Sequence, residues 1–258
     1  MSYIQGSYPI VLKKNLSQNI FDFSIKSKEI AGIACPGQFV QVRIPNMPLR
    51  RPISLANINA DKDLIRIIFE IKGEGTKILA QYREGDNIDI LGPLGKGFTI
   101  LPPDKKVYLI GGGIGVPPLL PLAGYYGGNA TVITGFRNAK AVILDDDFQK
   151  CFNEHIICTD NGSMGVKGFV TDVLSERLES GERPDMIYAC GPKPMLQKVA
   201  QLANDFSIEC EISMEERMAC GVGACLGCSC KTKDHDGSSS YAHVCKDGPV
   251  FNSKEVIF

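Results

Sequence analysis

Short runs of alternating apolar and polar residues dominate the first part of the chain. Phe21, Phe23 and Ile25 alternate with polar neighbours, as do Val40, Val42 and Ile44. That period of two is the pattern of half-buried strands. Residues 64–71 form a β-branched run and 87–91 a shorter one. Turn signals separate them at Pro36-Gly37, Pro45-Asn46, residues 59–63 and Glu84-Gly85-Asp86. The spacing predicts a small β-barrel or sandwich over residues 1–101, with one short helix at 76–82.

From about Pro102 the rhythm changes. Apolar strands are predicted at 107–110, 130–134, 156–159, 186–189 and 208–212, with amphipathic helices at 171–178 and 194–203. In the second helix Leu196, Val199, Ala200 and Ala203 share one face. Alternating strand and helix predicts an α/β domain, a mostly parallel sheet covered on both sides, over residues 102–212. The remainder, 213–258, is rich in Gly, Ser and Cys and has too few apolar residues for its own core. A bound metal cluster would hold it together.

A formal net charge of −1 gives no electrostatic footprint for nucleic acid or for a polybasic membrane anchor. The start, 1–10, lacks a basic region followed by an apolar run, so no secretory signal is expected. The most apolar stretch, 107–123, is interrupted by Gly111, Gly112, Gly113, Gly115, Pro117, Pro118 and Pro121. It reads as a buried strand and turn rather than a membrane span.

Ten cysteines are present, and five lie between 220 and 245. Cys220, Cys225 and Cys228 read C-x4-C-x2-C, and Cys245 follows after sixteen intervening residues, the spacing of plant-type [2Fe–2S] sites. Gly221, Gly223 and Gly227 let the backbone turn tightly and aim N–H groups at sulfur. A four-cysteine zinc site is the alternative, although zinc loops usually pair C-x2-C motifs. Cys230 reads as a packed thiol. Cys35, Cys151, Cys158, Cys190 and Cys210 read mostly as small buried hydrophobes.

Other motifs carry weaker signals. Arg51-Pro52-Ile53-Ser54 offers a guanidinium fork for a pyrophosphate and a hydroxyl for an isoalloxazine edge, or is an exposed strand end. Gly73-Glu74-Gly75-Thr76 precedes the short helix, either as a phosphate-binding turn or as a plain turn with Thr76 as N-cap. Gly111-Gly112-Gly113-Ile114-Gly115 follows the first apolar strand of the α/β part. With valine at 116 it is not a strict dinucleotide fingerprint. Cys190-Gly191-Pro192 ends a later strand, where ligands collect in such sheets. Arg137, past the second α/β strand, would favour NADP if it held a 2′-phosphate, and is otherwise an exposed loop charge. Asp145-Asp146-Asp147 reads as a solvated charge run and helix start. His155, His235 and His243 read as surface or loop residues.

In this order, with Gly92-Pro93-Leu94-Gly95 between them, these motifs resemble the ferredoxin–NADP reductase superfamily. Within it, residues 214–228 and 244–251 are similar to electron-transfer subunits of type B dihydroorotate dehydrogenases. That resemblance implies FAD, one [2Fe–2S] cluster and NAD. It implies that Arg51, Pro52, Ile53, Ser54, Ile68, Phe69 and Glu70 line the flavin, with Gly75 and Thr76 at its pyrophosphate. Gly111, Gly112, Gly113, Gly115, Cys190, Gly191 and Pro192 would take NAD. Asp160-Asn161-Gly162-Ser163 and Lys167-Gly168 resemble the nucleotide-side loop. Cys220, Cys225, Cys228 and Cys245 would hold the cluster.

The three stretches leave no room for a substrate domain of ordinary size, so electrons are expected to pass to another protein. By resemblance that partner is an FMN-containing catalytic subunit that oxidises dihydroorotate, in a cytoplasmic heterotetramer with two copies of each subunit. The cluster loop is expected to face it. Neither nucleic acid nor membrane is expected as a partner. The rival readings are a subunit of a ferredoxin:NADP oxidoreductase or NAD(P)-linked hydrogenase, and a non-catalytic zinc-containing adaptor.

Overall fold

The computed structural model describes residues 3–151, 154–234 and 237–258. Six strands form a closed antiparallel barrel: β1 (Ile4–Asn15), β2 (Ile20–Lys26), β3 (Phe39–Val42), β4 (Arg51–Asn59), β5 (Leu64–Glu70) and β6 (Asn87–Leu94), in the order β1-β2-β5-β4-β3-β6. Two short helices, α1 (Lys28–Ala31) and α2 (Glu74–Leu79), sit between strands. The alternation seen in the sequence decides which face is inside. On β5, Ile65, Ile67 and Phe69 point into the barrel, and Phe69 meets Phe23 edge-on at 5.2 Å. Each such buried isoleucine contributes roughly 1.5–3 kcal/mol.

The second domain holds β7 (Val107–Gly112), α3 (Leu120–Tyr126), β8 (Ala130–Phe136), α4 (Asp145–Gln149), β9 (Glu154–Thr159), β10 (Val166–Lys167), α5 (Val170–Glu179), β11 (Met186–Cys190), α6 (Lys193–Asp205) and β12 (Cys210–Ser213). The strands run parallel in the order β10-β9-β8-β7-β11-β12. Residues of α5 and α6 fill one face and those of α3 and α4 the other. The face predicted for α6 is the buried one.

The last stretch adds a hairpin, β13 (Ser229–Lys233) with β14 (Ser239–His243), and then β15 (Val250–Asn252). Strand β15 pairs antiparallel with β12 and extends the second domain's sheet to seven strands. Cys228, Cys230, Val244, Cys245 and Phe251 pack with Ile187 and Ala189 of the sheet and with Phe39 and Leu94 of the barrel. This segment therefore shares a core with both domains, as its poverty in apolar residues requires.

Several details depart from the sequence reading. Thr76 is not the N-cap of α2. It stands at the third helical position, and its hydroxyl accepts from the N–H groups of Lys72 and Gly73 at 2.9 and 3.2 Å. His155 is not a surface residue, since its side chain is 5% exposed between Thr134 and Asp145. The acidic run is only partly solvated: Asp145 holds His155, and Asp147 pairs with Arg66 of the barrel at 2.6 Å. His243 lies 3.4 Å from Asp247, and His235 falls outside the described residues. Cys35 is exposed and Cys151 half-buried, whereas Cys158, Cys190 and Cys210 are buried. Among the described residues, no helix is long and apolar enough to cross a membrane.

Candidate functional site

The loop from Cys220 to Cys228 turns through left-handed backbone at Gly221, Gly223 and Leu226, with φ of 75°, 82° and 59°. These turns point main-chain N–H groups inward. Val222 and Ala224 donate to Cys220 Sγ at 3.4 and 3.3 Å, Gly223 donates to Cys245 Sγ at 3.1 Å, and Cys245 donates to Cys228 Sγ at 3.4 Å. The side chains gather in two pairs, Cys220 with Cys225 and Cys228 with Cys245.

Among the described residues, no three His, Cys, Asp or Glu groups converge tightly enough for a single metal ion. Two adjacent thiol pairs, by contrast, suit two irons that each take two thiolates. Burial opposes ionisation of Cys220, but the N–H donors and Cys225 outweigh it and hold the thiol down at about 6. Burial and then the Cys228 thiol push Cys245 up to about 12. The donor set and its N–H cradle thus fit a [2Fe–2S] group. Cys225 and Leu226 reach solvent, while Cys228 and Cys245 are buried. Cys230 is packed on β13, its thiol pushed up to about 11 by burial and then by Glu216.

The barrel contributes the second group of residues. Strand β4 lies antiparallel to β3, with Ser54 opposite Phe39 and Arg51 opposite Val42. Arg51 reaches from β4 to α2, where a Cβ on Gly75 would fall 2.7 Å from its Nη2. The guanidinium lies against the turn in space that a side chain at 75 would contest. The side chains of Ile53 and Phe69 belong to the barrel interior, so only their main chain is free to meet a ligand. Ile68 and Glu70 face outward, Ile68 into the core under the second domain and Glu70 into a cleft.

That cleft, about 970 Å³, lies between barrel and sheet. Gly112, Gly113, Gly115, Gly191 and Pro192 line it, and Gly111 and Cys190 stand beside them as register partners on β7 and β11. The two turns touch, since a Cβ on Gly115 would lie 2.6 Å from Gly191 Cα. Burial, then the Glu215 carboxylate, pushes the Cys190 thiol up to about 12, so it is neutral. Arg137 and Asp160 share the rim, and Ser163 accepts from Ala139 N–H at 2.9 Å, tying the loop after β9 to the end of β8.

A family model for the iron-sulfur cluster binding domain of dihydroorotate dehydrogenase B matches residues 215–257. A dihydroorotate dehydrogenase B (NAD(+)) electron transfer subunit from Fusobacterium nucleatum subsp. nucleatum is 42% identical over 250 residues, covering 93% of this chain and 94% of the relative. The chain belongs to the family of dihydroorotate dehydrogenase B electron transfer subunits. A second member, from Geobacillus sp. (strain WCH70), is 40% identical over 261 residues and covers 98% of both chains. In three dimensions the chain resembles a solved NADH-dependent reduced ferredoxin-NADP oxidoreductase, with a TM-score of 0.85 at 30% identity over 97% of this chain and 89% of that one. A ferredoxin NADP+ reductase from Neisseria gonorrhoeae shares the fold at a TM-score of 0.63 and 17% identity over 78% of this chain and 91% of that one.

Within this family framework, three groups stand in the site that motif reading passed over. Phe169, 63% exposed, and Lys198 line the cleft. Phe169 had a signal, an apolar residue straight after Lys167-Gly168 and at the start of a helix. Lys198 had none beyond its place on the polar face of α6. The third is Gln41, a buried residue on β3.

Proposed function

We propose that this chain is the electron-transfer subunit of an NAD-linked type B dihydroorotate dehydrogenase, acting in the cytoplasm. Its partner is an FMN-containing catalytic subunit, with two copies of each in the complex. The observation that carries this reading is the two thiol pairs, Cys220 with Cys225 partly exposed and Cys228 with Cys245 buried, held by a loop that covers β3 of a barrel which also borders the cleft. When bound, the cluster carries single electrons, FAD interconverts single electrons and pairs, and NAD+ takes a hydride.

Each role is proposed for particular residues. Cys220, Cys225, Cys228 and Cys245 hold the cluster, and the N–H groups of Val222, Gly223 and Ala224 offset its charge. Arg51 and the turn at Gly75-Thr76 take the flavin pyrophosphate. Pro52, Ser54 and the main chain of Ile53 line the ring, with Ile68, Phe69 and Glu70 on the neighbouring strand. Gly111, Gly112, Gly113, Gly115, Gly191 and Pro192 seat the nicotinamide nucleotide, with Asp160 on the ribose side. Cys190, buried and neutral, is a packing wall for the nicotinamide rather than a nucleophile. Cys225 and Leu226 face the catalytic subunit.

The test is dihydroorotate-dependent reduction of NAD+ by the chain co-purified with its catalytic subunit, compared with NADP+. The likeness to the ferredoxin-NADP oxidoreductase structure supports one rival. NADP+ reduction by reduced ferredoxin, with no response to dihydroorotate, would favour it.

A further inference from the structure

The side chains of β3 alternate between two interiors. Val40 and Val42 enter the barrel core, while Phe39 leaves it and packs with Leu94, Cys228 and Cys245. Gln41, two residues on, faces the same way as Phe39. It is wholly buried, and among the described residues its Nε2 and Oε1 have no hydrogen-bond partner. Its main chain is pinned: Arg50 Nη1 donates to the Gln41 carbonyl at 3.2 Å and to Asp89 Oδ1 at 2.8 Å. In register, Gln41 stands opposite Pro52 of the flavin strand. The cluster loop runs directly over it, so closely that a Cβ on Gly221 would fall 2.7 Å from both Cγ and Nε2 of Gln41. The amide therefore lies against the backbone one residue from Cys220.

A buried amide with no partner costs roughly 1–3 kcal/mol, and leucine or methionine would fill the same space without that cost. A polar group at this position therefore points to a ligand. A [2Fe–2S] group held by four thiolates is anionic and gains a further negative charge on reduction. An N–H donor at its sulfurs stabilises the reduced form and raises its potential. Cys220 Sγ already receives the N–H groups of Val222 and Ala224 from its own loop.

We propose that the Gln41 side-chain amide donates from the barrel to the cluster's sulfur on the Cys220 side, and that this bond raises the cluster's reduction potential next to the flavin strand. Gln41 is then a positioning and tuning residue for electron transfer. The inference rests on the electron-transfer reading above.

The test uses Gln41→Leu and Gln41→Met in the complex with the catalytic subunit. The cluster is titrated potentiometrically with EPR detection, and iron, acid-labile sulfide and FAD are assayed. Both variants are expected to keep their cofactors. The cluster midpoint should fall by about a tenfold shift in the one-electron equilibrium, about 59 mV, with an altered EPR signal and an unmoved flavin. An unchanged cluster midpoint and spectrum at full occupancy would overturn the inference, and so would a shift confined to the flavin.

Should either variant lose the cluster, unsubstituted protein labelled with side-chain 15N-glutamine supplies the decision. Hyperfine spectroscopy of the reduced cluster is expected to show a glutamine amide nitrogen coupled to it, and no such coupling would sink the proposal. Dihydroorotate-dependent NAD+ reduction by the unsubstituted complex is measured in parallel. Its absence rejects the functional reading, whereas its presence with an unmoved Gln41→Leu midpoint rejects the role of Gln41 alone.

Discussion

At the scale of single residues, the site divides cysteines of one type into different jobs by their surroundings. Cys225 and Cys230 are five residues apart, yet one pairs with Cys220 at the surface and the other is packed in a hydrophobic core. Cys225→Ser removes a thiolate that serine does not replace as a soft ligand. The variant is expected to lose nearly all iron and acid-labile sulfide while keeping FAD absorbance. Cys230→Ser should retain its iron and lose only stability, about 1–3 kcal/mol from burying a hydroxyl, read from iron content and a urea midpoint. The C-x4-C-x2-C spacing made the proposed ligands legible, because three of them belong to one loop. No residue pattern marked Gln41, whose importance depends on Gly221 lying over it.

At the scale of elements, the turns after β7 and β11 form one surface. Gly115→Ala would set a methyl 2.6 Å from Gly191 Cα and 2.7 Å from the Cys190 carbonyl, and both contacts are to backbone that cannot swing away. The expected result is a loss of about 1–3 kcal/mol in stability and an NADH KM raised at least tenfold, with iron and FAD unaltered.

The link between β9 and α4 is sensitive to pH. Burial, partly opposed by Asp145, lowers the His155 pKa below its ordinary value of 6.5. In acid the unfolded chain takes up this proton before the folded one does. The contribution is therefore full above about 6.5 and is lost as the pH falls through the lower folded value. The urea midpoint should drop from pH 7.5 to pH 5, and His155→Gln should drop less over the same interval.

At the scale of the whole molecule, the barrel and the α/β domain are joined by apolar packing and by a partly buried charge network. Arg66 on β5 pairs with Asp22 on β2 at 2.8 Å and with Asp147 on α4 at 2.6 Å. Asp22 is 3% exposed. Arg66→Met would leave that carboxylate buried without its cation, at a cost of about 3–5 kcal/mol. The expected outcome is a lower thermal midpoint together with a slower NADH-to-flavin step in stopped flow, since the cleft is built from both domains. A variant with an unchanged midpoint would show that the network carries no stability. The cluster segment belongs to this scale too, because β15 pairs with β12 as the sheet's last strand while the cysteine loop covers β3 of the barrel.

The chain's own order of residues determined the barrel alternation, the strand–helix rhythm, the buried face of α6 and the candidate cluster thiols of one cysteine loop. Each of these is a local or periodic property, set by which side of a strand, helix or loop a residue occupies. Strand β1 and the β13–β14 hairpin were not among the predicted strands, although Tyr8 and Ile10 of β1 and Cys230 and Thr232 of β13 alternate with exposed neighbours; they bury few large apolar residues, so the period is faint. Only the tertiary structure decided that Arg66 would meet Asp147, 81 residues on, that His155 would be enclosed, and that Gly221 would settle on Gln41. Those contacts join segments far apart along the chain, and their energies come from burial and charge pairing that exist only once the domains have packed together.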